Sequence, residues 1–594
     1  MSNQNNNTWK ELVQAKMSRR GFLRGAAMSA GAAAGAAAVP ATMTAALASV
    51  ASVGVAAAQD ASTTIPFTPI EIATADDVTL PEGFSYQVLI SRGDTFTPDG
   101  RIYGDNNDWQ GWFPIDGLEG GNSTEEGILA INNEYFNSLF LTGFDGGEKS
   151  AEEVAAEKAA VGVSHVHVRR VNGEWTVVTD SEFARRYDGT DPIEFSGPFA
   201  EELGVTEVIG TLANCSGGIT PWRTNLSCEE NYQNYYGEDS TASRSSYQWR
   251  EVDMTQGQIP EHYGWVVETD PYTGRAVKRT AMGRFRHENV AMAIGASGRA
   301  VAYMGDDARN RAVYKFVSEG TYNPNDRAAN ANLLENGTLY AADFGRGEWI
   351  PVVWEGNEDL LGDPANVDGY EIDSLGDVLT YCSPCALALG ATPTDRPEDI
   401  EVHPGTGHVY IAFTNNSNHG NYHGHITRIL EDNEDPESLT FGWDIFAVGG
   451  PQSGFSSPDN MTFDSFGNLW MVTDVSSSRL NGGIFEFHGN NAMFMFPTDP
   501  ASPDFGRAFR FAAGPIECEM CGPIFVGEDT LFVNVQHPGE VSETRENPTS
   551  NWPEGGNAIP KASNIVITGP FGNNGPYGGY AIFNAQTGEP ESLV

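Results

Sequence analysis

From residue 60 onward, short runs of β-branched and aromatic residues alternate with polar positions and stop at Gly, Asn or Asp, the mark of strands joined by tight turns. Helical periodicity is confined to the Ala/Glu/Lys segment 148–160, which predicts one short surface helix with its charges on the solvated face. Four stretches share one plan, in which an acid opens a short apolar strand, a turn follows, and an aromatic or β-branched strand ends in polar residues. They are 288–307 (ENVAMAIGASGRAVAYMGDD), 398–416 (EDIEVHPGTGHVYIAFTNN), 459–474 (DNMTFDSFGNLWMVTD) and 519–537 (EMCGPIFVGEDTLFVNVQH), and 127–134 (GILAINNE) is a fainter copy of the second half. Such repetition, at irregular spacing and with large insertions between copies, predicts an all-β fold built from propeller blades.

Hairpin geometry says where the polar ends go. Two antiparallel strands bring the start of the first beside the end of the second. Glu288 should therefore lie near Asp306 and Asp307, Glu398 near Asn415 and Asn416, Asp459 near Asp474, and Glu519 near Gln536 and His537. Radial blades would gather these ends at one mouth of the central channel, where so many carboxylates repel one another unless cations sit between them. Oxygen donors in that number suggest calcium. The competing reading is that these Asp and Asn residues only cap turns. The polar loop 418–425 (NHGNYHGH) reads as structural or solvated, not as a histidine metal site.

Composition narrows the partners. The 594 residues carry 80 Asp plus Glu against 34 Lys plus Arg, a formal charge of −46, which disfavours nucleic acid and anionic lipid surfaces. Near the N-terminus, Ser18-Arg19-Arg20-Gly21-Phe22-Leu23-Arg24 is a twin-arginine core, followed by an Ala/Gly-rich stretch that ends in Ala56-Ala57-Ala58. Residues 1–58 are therefore expected to be a removable leader for the twin-arginine translocase. That leaves one domain, 59–594, periplasmic or secreted and without a membrane anchor. The cysteines Cys382/Cys385 and Cys518/Cys521 form two CxxC pairs, for which disulfides are favoured over zinc in an exported protein.

The stretch 214–231 (NCSGGITPWRTNLSCEEN) sets the thiol of Cys215 and the pair Glu229-Glu230 at opposite ends of a Gly-turned, strand-like segment. Calcium has little use for sulfur, so a thiol among carboxylates argues for a transition metal beside the hard cations. With this segment, 283–288 (GRFRHE), 303–307 (YMGDD), 314–318 (YKFVS), 396–399 (RPED), 424–426 (GHI), 457–460 (SPDN) and 535–540 (VQHPGE), the chain resembles the PhoX-type alkaline phosphatases from about 106 to 540.

The resemblance implies a six-bladed propeller, exported by the twin-arginine route, with an oxo-bridged pair of ferric ions and two or three calcium ions at the channel mouth. The implied activity is hydrolysis of small phosphate monoesters, with some reach into diesters, releasing inorganic phosphate. It further implies that Cys215 ligates iron, that Glu229 or Glu230, Glu288 and Glu398 bind the metals, and that Arg396 holds the substrate phosphate. Asp306, Asp307, Asp459, Gln536 and Glu540 follow as calcium or supporting groups. The chain departs from the family pattern at Arg223 and Asn225, where Thr-Pro-Trp-Gly-Thr-Trp is usual, and at Ala184, where Asn usually precedes the paired arginines. Two other functions stand beside the phosphatase: a calcium-dependent propeller hydrolase of lactones or phosphotriesters, and a non-catalytic, calcium-stabilised binding propeller.

Overall fold

The structure is a computed structural model and describes residues 8–17, 65–253 and 257–593. The twin-arginine core and the expected cleavage site lie outside the described residues. Strands dominate, and they form six sheets. Each sheet has one innermost strand: Asn107–Pro114, Asn214–Ile219, His287–Ile294, Pro397–Val402, Pro458–Phe463 and Glu519–Val526. Each of these packs on the next in chain order, and the last returns to the first, so the sheets close into a ring around a central channel. This is a β-propeller.

One sheet holds the ring together, because the early strand Ser85–Ser91 pairs antiparallel with the late strand Ser563–Thr568. The C-terminal strand Ala581–Asn584 pairs with Ala293–Ile294, on the channel side of the third inner strand and at the end remote from Glu288. The inner strands are buried throughout, polar residues at their mouth ends included. Their close approach depends on glycine at two places. A Cβ on Gly218 would lie 1.9 Å from the Val290 carbonyl oxygen, and Gly522 (φ +52°) brings its backbone against Trp109.

The predicted helix spans Ala151–Ala160, started by a capping box between Ser150 and Glu153. Its charges divide: Glu152 and Glu153 face solvent, whereas Glu157 and Lys158 turn inward. Glu157 is fully buried, bonded to Lys149 (2.6 Å) and to the Trp249 indole N–H (2.9 Å), because the helix packs under the segment 233–253. All six cysteines are unbridged and buried, so the expected disulfides do not form. Cys382 and Cys385 sit in the helix Cys382–Leu389, part of an insertion between the third and fourth sheets. Among the described residues no helix is long and apolar enough to cross a membrane.

Candidate metal centre at the propeller mouth

Each hairpin delivers side chains to the mouth in the same way. All six inner strands carry a β-bulge, one extra residue relative to the partner strand; in five it lies at the mouth end, and in the sixth it lies further in, between Cys521 and Ile524. In five sheets the backbone N–H after the last ladder pair donates to the carbonyl just upstream of the inner strand. The bonds are Glu134 to Asn106 (3.0 Å), Glu230 to Ala213 (2.8 Å), Asp307 to Arg286 (2.9 Å), Thr414 to Arg396 (3.1 Å) and Asp474 to Ser457 (3.0 Å). The hairpins therefore aim two tiers of groups at one cavity. The inner strands give Asp108, Cys215, Glu288, Glu398, Asp459 and Glu519, and the returning strands give Glu134, Glu230, Asp307, Asp474, Gln536 and His537.

The aiming stores backbone strain. Two residues before the cavity-facing group, five inner strands place a non-glycine residue at positive φ: Asn106 (33°), Ala213 (54°), Arg396 (59°), Ser457 (50°) and Glu517 (60°). Such conformations cost on the order of 1–3 kcal/mol each and persist only where surrounding structure holds them, commonly at functional sites.

The cavity has a volume of about 290 Å³ and is lined by ten carboxylates against one guanidinium, that of Arg396. Cys215 Sγ lies 3.3 Å from Asp108 Oδ2 and 3.3 Å from Glu288 Oε1. Potential donor atoms gather within 4.8 Å of one another in four sets: Asp108/Glu134/Cys215, Cys215/Glu230/Glu288, Glu288/Glu398/Asp459 and Asp108/Glu519/Cys521. Because Asp108, Cys215 and Glu288 each belong to two sets, the sets form a continuous arc. Burial, reinforced by neighbouring negative charge, pushes Asp108, Glu230, Glu288 and Glu519 well above the ordinary carboxylate range. The same causes push Asp474 up to about 6. Burial pushes Glu134 up to about 7 and the Cys215 thiol well above its usual value. Asp108 Oδ1 is buried without any donor. Cations shared among these carboxylates would favour their ionised forms, and the mixture of hard oxygens with the thiols of Cys215 and Cys521 suits a transition metal beside hard cations.

Arg396 is held at one side. Its Nε and Nη2 donate to Asp307 Oδ1 (2.9 Å) and Oδ2 (2.5 Å), and Nη2 also lies 2.9 Å from Glu398 Oε1. Gln536 donates to Asp108 Oδ2 (3.1 Å) and Glu134 Oε2 (3.0 Å), and Glu540 accepts from Tyr135 (2.8 Å).

The structure brings together Arg396, Cys215, Glu230, Glu288, Asp307, Glu398, Asp459, Gln536 and Glu540. It does not bring Glu229 or Asp306. Glu229 belongs to the ladder of its strand and faces away from the cavity, where it pairs with Lys278 (2.7 Å) and accepts from the Gly264 and Trp265 amides. Asp306 lies one residue short of the cavity, bonded to Ser383 (2.6 Å) in a separate pocket beside Arg286 and Arg311. Adjacent strand residues point to opposite faces, so of each acidic pair only the second reaches the mouth. The first hairpin was half legible, since Gly127 to Glu134 was read as a returning strand while its partner, beginning Asn107-Asp108, went unnoticed. Pairing the two would have found Asp108. Ala184, Arg223 and Asn225 do not line the cavity; Arg223 takes φ 59°, a left-handed conformation that glycine adopts without strain. The 418–425 histidines enter none of the four donor sets; His419 instead bonds Asp395 (2.5 Å).

The family model described as alkaline phosphatase PhoX matches residues 65–539. A comparison with curated proteins matches none of them. Among solved structures, PhoX of Pseudomonas fluorescens in complex with vanadate, a transition state analogue, superposes with a TM-score of 0.76 at 35% identity, covering 86% of this chain and 99% of that one. A protein of unknown function from Dyadobacter fermentans gives a TM-score of 0.34 at 10% identity, covering 83% of this chain and 99% of that one. The chain belongs to the PhoX family of alkaline phosphatases.

Proposed function

We propose that this phosphatase is an exported metalloenzyme that hydrolyses small phosphate monoesters, with some reach into diesters, at the mouth of a propeller whose six sheets count as six blades. The observation that carries the reading is the arc of carboxylates converging on the Cys215 thiol, with Arg396 beside it. Cys215, Asp108, Glu134, Glu230 and Glu288 would hold two ferric ions, and Glu398, Asp459 and Glu519 would hold two or three calcium ions. When bound, these ions supply Lewis-acid neutralisation of phosphoryl oxygens and activation of the attacking water.

The chain's own residues do the rest. Arg396 lines the cavity with Nε and Nη2 committed to Asp307 and Glu398, which fixes the guanidinium plane and leaves Nη1 to donate to a phosphoryl oxygen. Gln536 bridges Asp108 and Glu134, so two ligand carboxylates are oriented by one amide. The complex of the Pseudomonas protein with vanadate, a transition state analogue, supports phosphoryl transfer as the chemistry. A thiol in the donor set disfavours a lactonase or triesterase that uses calcium alone, since calcium coordination takes oxygen. Family membership favours hydrolysis over a binding role.

The test is elemental analysis of the folded protein together with release of p-nitrophenol from p-nitrophenyl phosphate before and after EGTA. About two irons per chain and chelator-sensitive turnover are expected; calcium without iron, and no turnover, would sink the proposal.

A further inference from the structure

Residues 9–17 form a helix immediately before Ser18-Arg19-Arg20, and it is seated on the propeller. Thr8 begins it, its amide accepted by Glu11 Oε2 (2.8 Å). Trp9, Leu12, Val13 and Lys16 recur at the spacing of one helix face, and these are the positions that turn inward while Lys10, Glu11, Gln14, Ala15 and Met17 stay exposed. Trp9 is 1% exposed. Its ring centroid lies 4.9 Å from that of Phe344, 5.0 Å from Phe413 and 5.3 Å from Trp443. At the other end Lys16 Nζ donates to the Trp443 carbonyl (2.6 Å) and lies 4.6 Å from the centroid of the Trp443 ring. The helix is therefore attached at both ends.

The groove is a tertiary product. Phe344 follows a strand of the third sheet, while Phe413 and Trp443 belong to the fourth, and the Trp443 indole N–H donates to the Phe344 carbonyl (2.9 Å) across the seam. It exists only where those two sheets have folded and packed. Arg19 is two residues beyond Met17, so at most about 7 Å of extended chain separates the helix end from the first arginine. Anything that grips the arginine pair must work against the propeller surface or lift the helix from its groove. The Trp9 indole N–H is buried without an acceptor, which weakens the seat and suits release.

We propose that the folded propeller captures its own leader, with residues 9–17 as a latch seated across the third and fourth sheets. Removal of the leader vacates the groove. The consequence for export rests on the leader reading above; the docking itself does not.

Hydrogen–deuterium exchange of the full-length chain tests the docking. Amides 12–17 should exchange at least about tenfold more slowly in the wild type than in Trp9→Ala, with the propeller strands equally protected in both. Unprotected exchange of 12–17 in the wild type would overturn the proposal. Should Trp9→Ala loosen the strands themselves, Lys16→Ala, which removes a surface attachment, gives the same comparison. In cells with a twin-arginine translocase, the leader should be removed several-fold faster from Trp9→Ala than from the wild type. Equal rates would overturn the latch, whereas no removal from either would overturn the export reading and leave the exchange result standing.

Discussion

Arg396 grips Asp307 through two nitrogens, at 2.9 and 2.5 Å, from the neighbouring hairpin, although a single sheet supplies both Arg396 and the acid it flanks, Glu398. The only guanidinium in the cavity is thus positioned by the returning strand of the third sheet. Arg396→Ala should lower kcat/KM for an aryl phosphate by about 10²–10³, the usual loss of a preorganised donor. Asp307→Asn should cost less, and the double variant should lose no more than Arg396→Ala alone. Additive losses in steady-state kinetics would mean that the two act separately.

Burial and surrounding carboxylates hold the Cys215 thiol protonated unless a cation claims it. Cys215→Ser should therefore lower bound iron, measured by mass spectrometry, to less than half, and activity by about 10–100-fold or more. Full iron content in the variant would remove the thiol from the ligand set.

The left-handed residues ahead of the inner strands should reveal their strain on substitution. Ser457 (φ 50°) flanks Asp459 and is buried. Ser457→Gly should raise the metal-loaded protein's unfolding free energy by about 0.5–1 kcal/mol, relief of strain outweighing the added freedom of the unfolded chain. Ser457→Val should lower it by about 1–2 kcal/mol, since a β-branched residue is least at home there. The midpoint of urea unfolding reads both.

His488 is fully buried, and burial drives it down to about 3. Its folded value lies below the unfolded one, so its contribution is fully present above about pH 6.5 and is lost as pH falls, at up to about 1.4 kcal/mol per unit. Between pH 7 and pH 5, His488→Leu should gain about 2 kcal/mol relative to wild type. Parallel pH profiles of unfolding free energy would refute this.

Much of the site was open to sequence reading because a hairpin is local. Alternation and turn residues placed Glu288 beside the Asp306-Asp307 pair and Glu519 opposite Gln536, as the ladders now show. The radial convergence of unlike hairpins then followed from their repetition. What escaped was whatever a hairpin rule does not carry. Asp108 was missed for want of a partner strand, and Trp9 was read as part of an address, not as a side chain with a seat in the folded propeller.

By itself, the order of residues determined the strand-rich hairpins and their polar ends, since each depends on neighbours a few positions apart, whereas the acids that meet the Cys215 thiol, Asp108 and Glu288, come from other sheets. Only the tertiary structure decided between Glu229 and Glu230 and between Asp306 and Asp307, because a bulge and one backbone hydrogen bond set which of two adjacent residues turns inward. It also decided that Arg396 is held by Asp307 and that residues 9–17 have a groove to enter. Both depend on surfaces that exist only once separate sheets have packed.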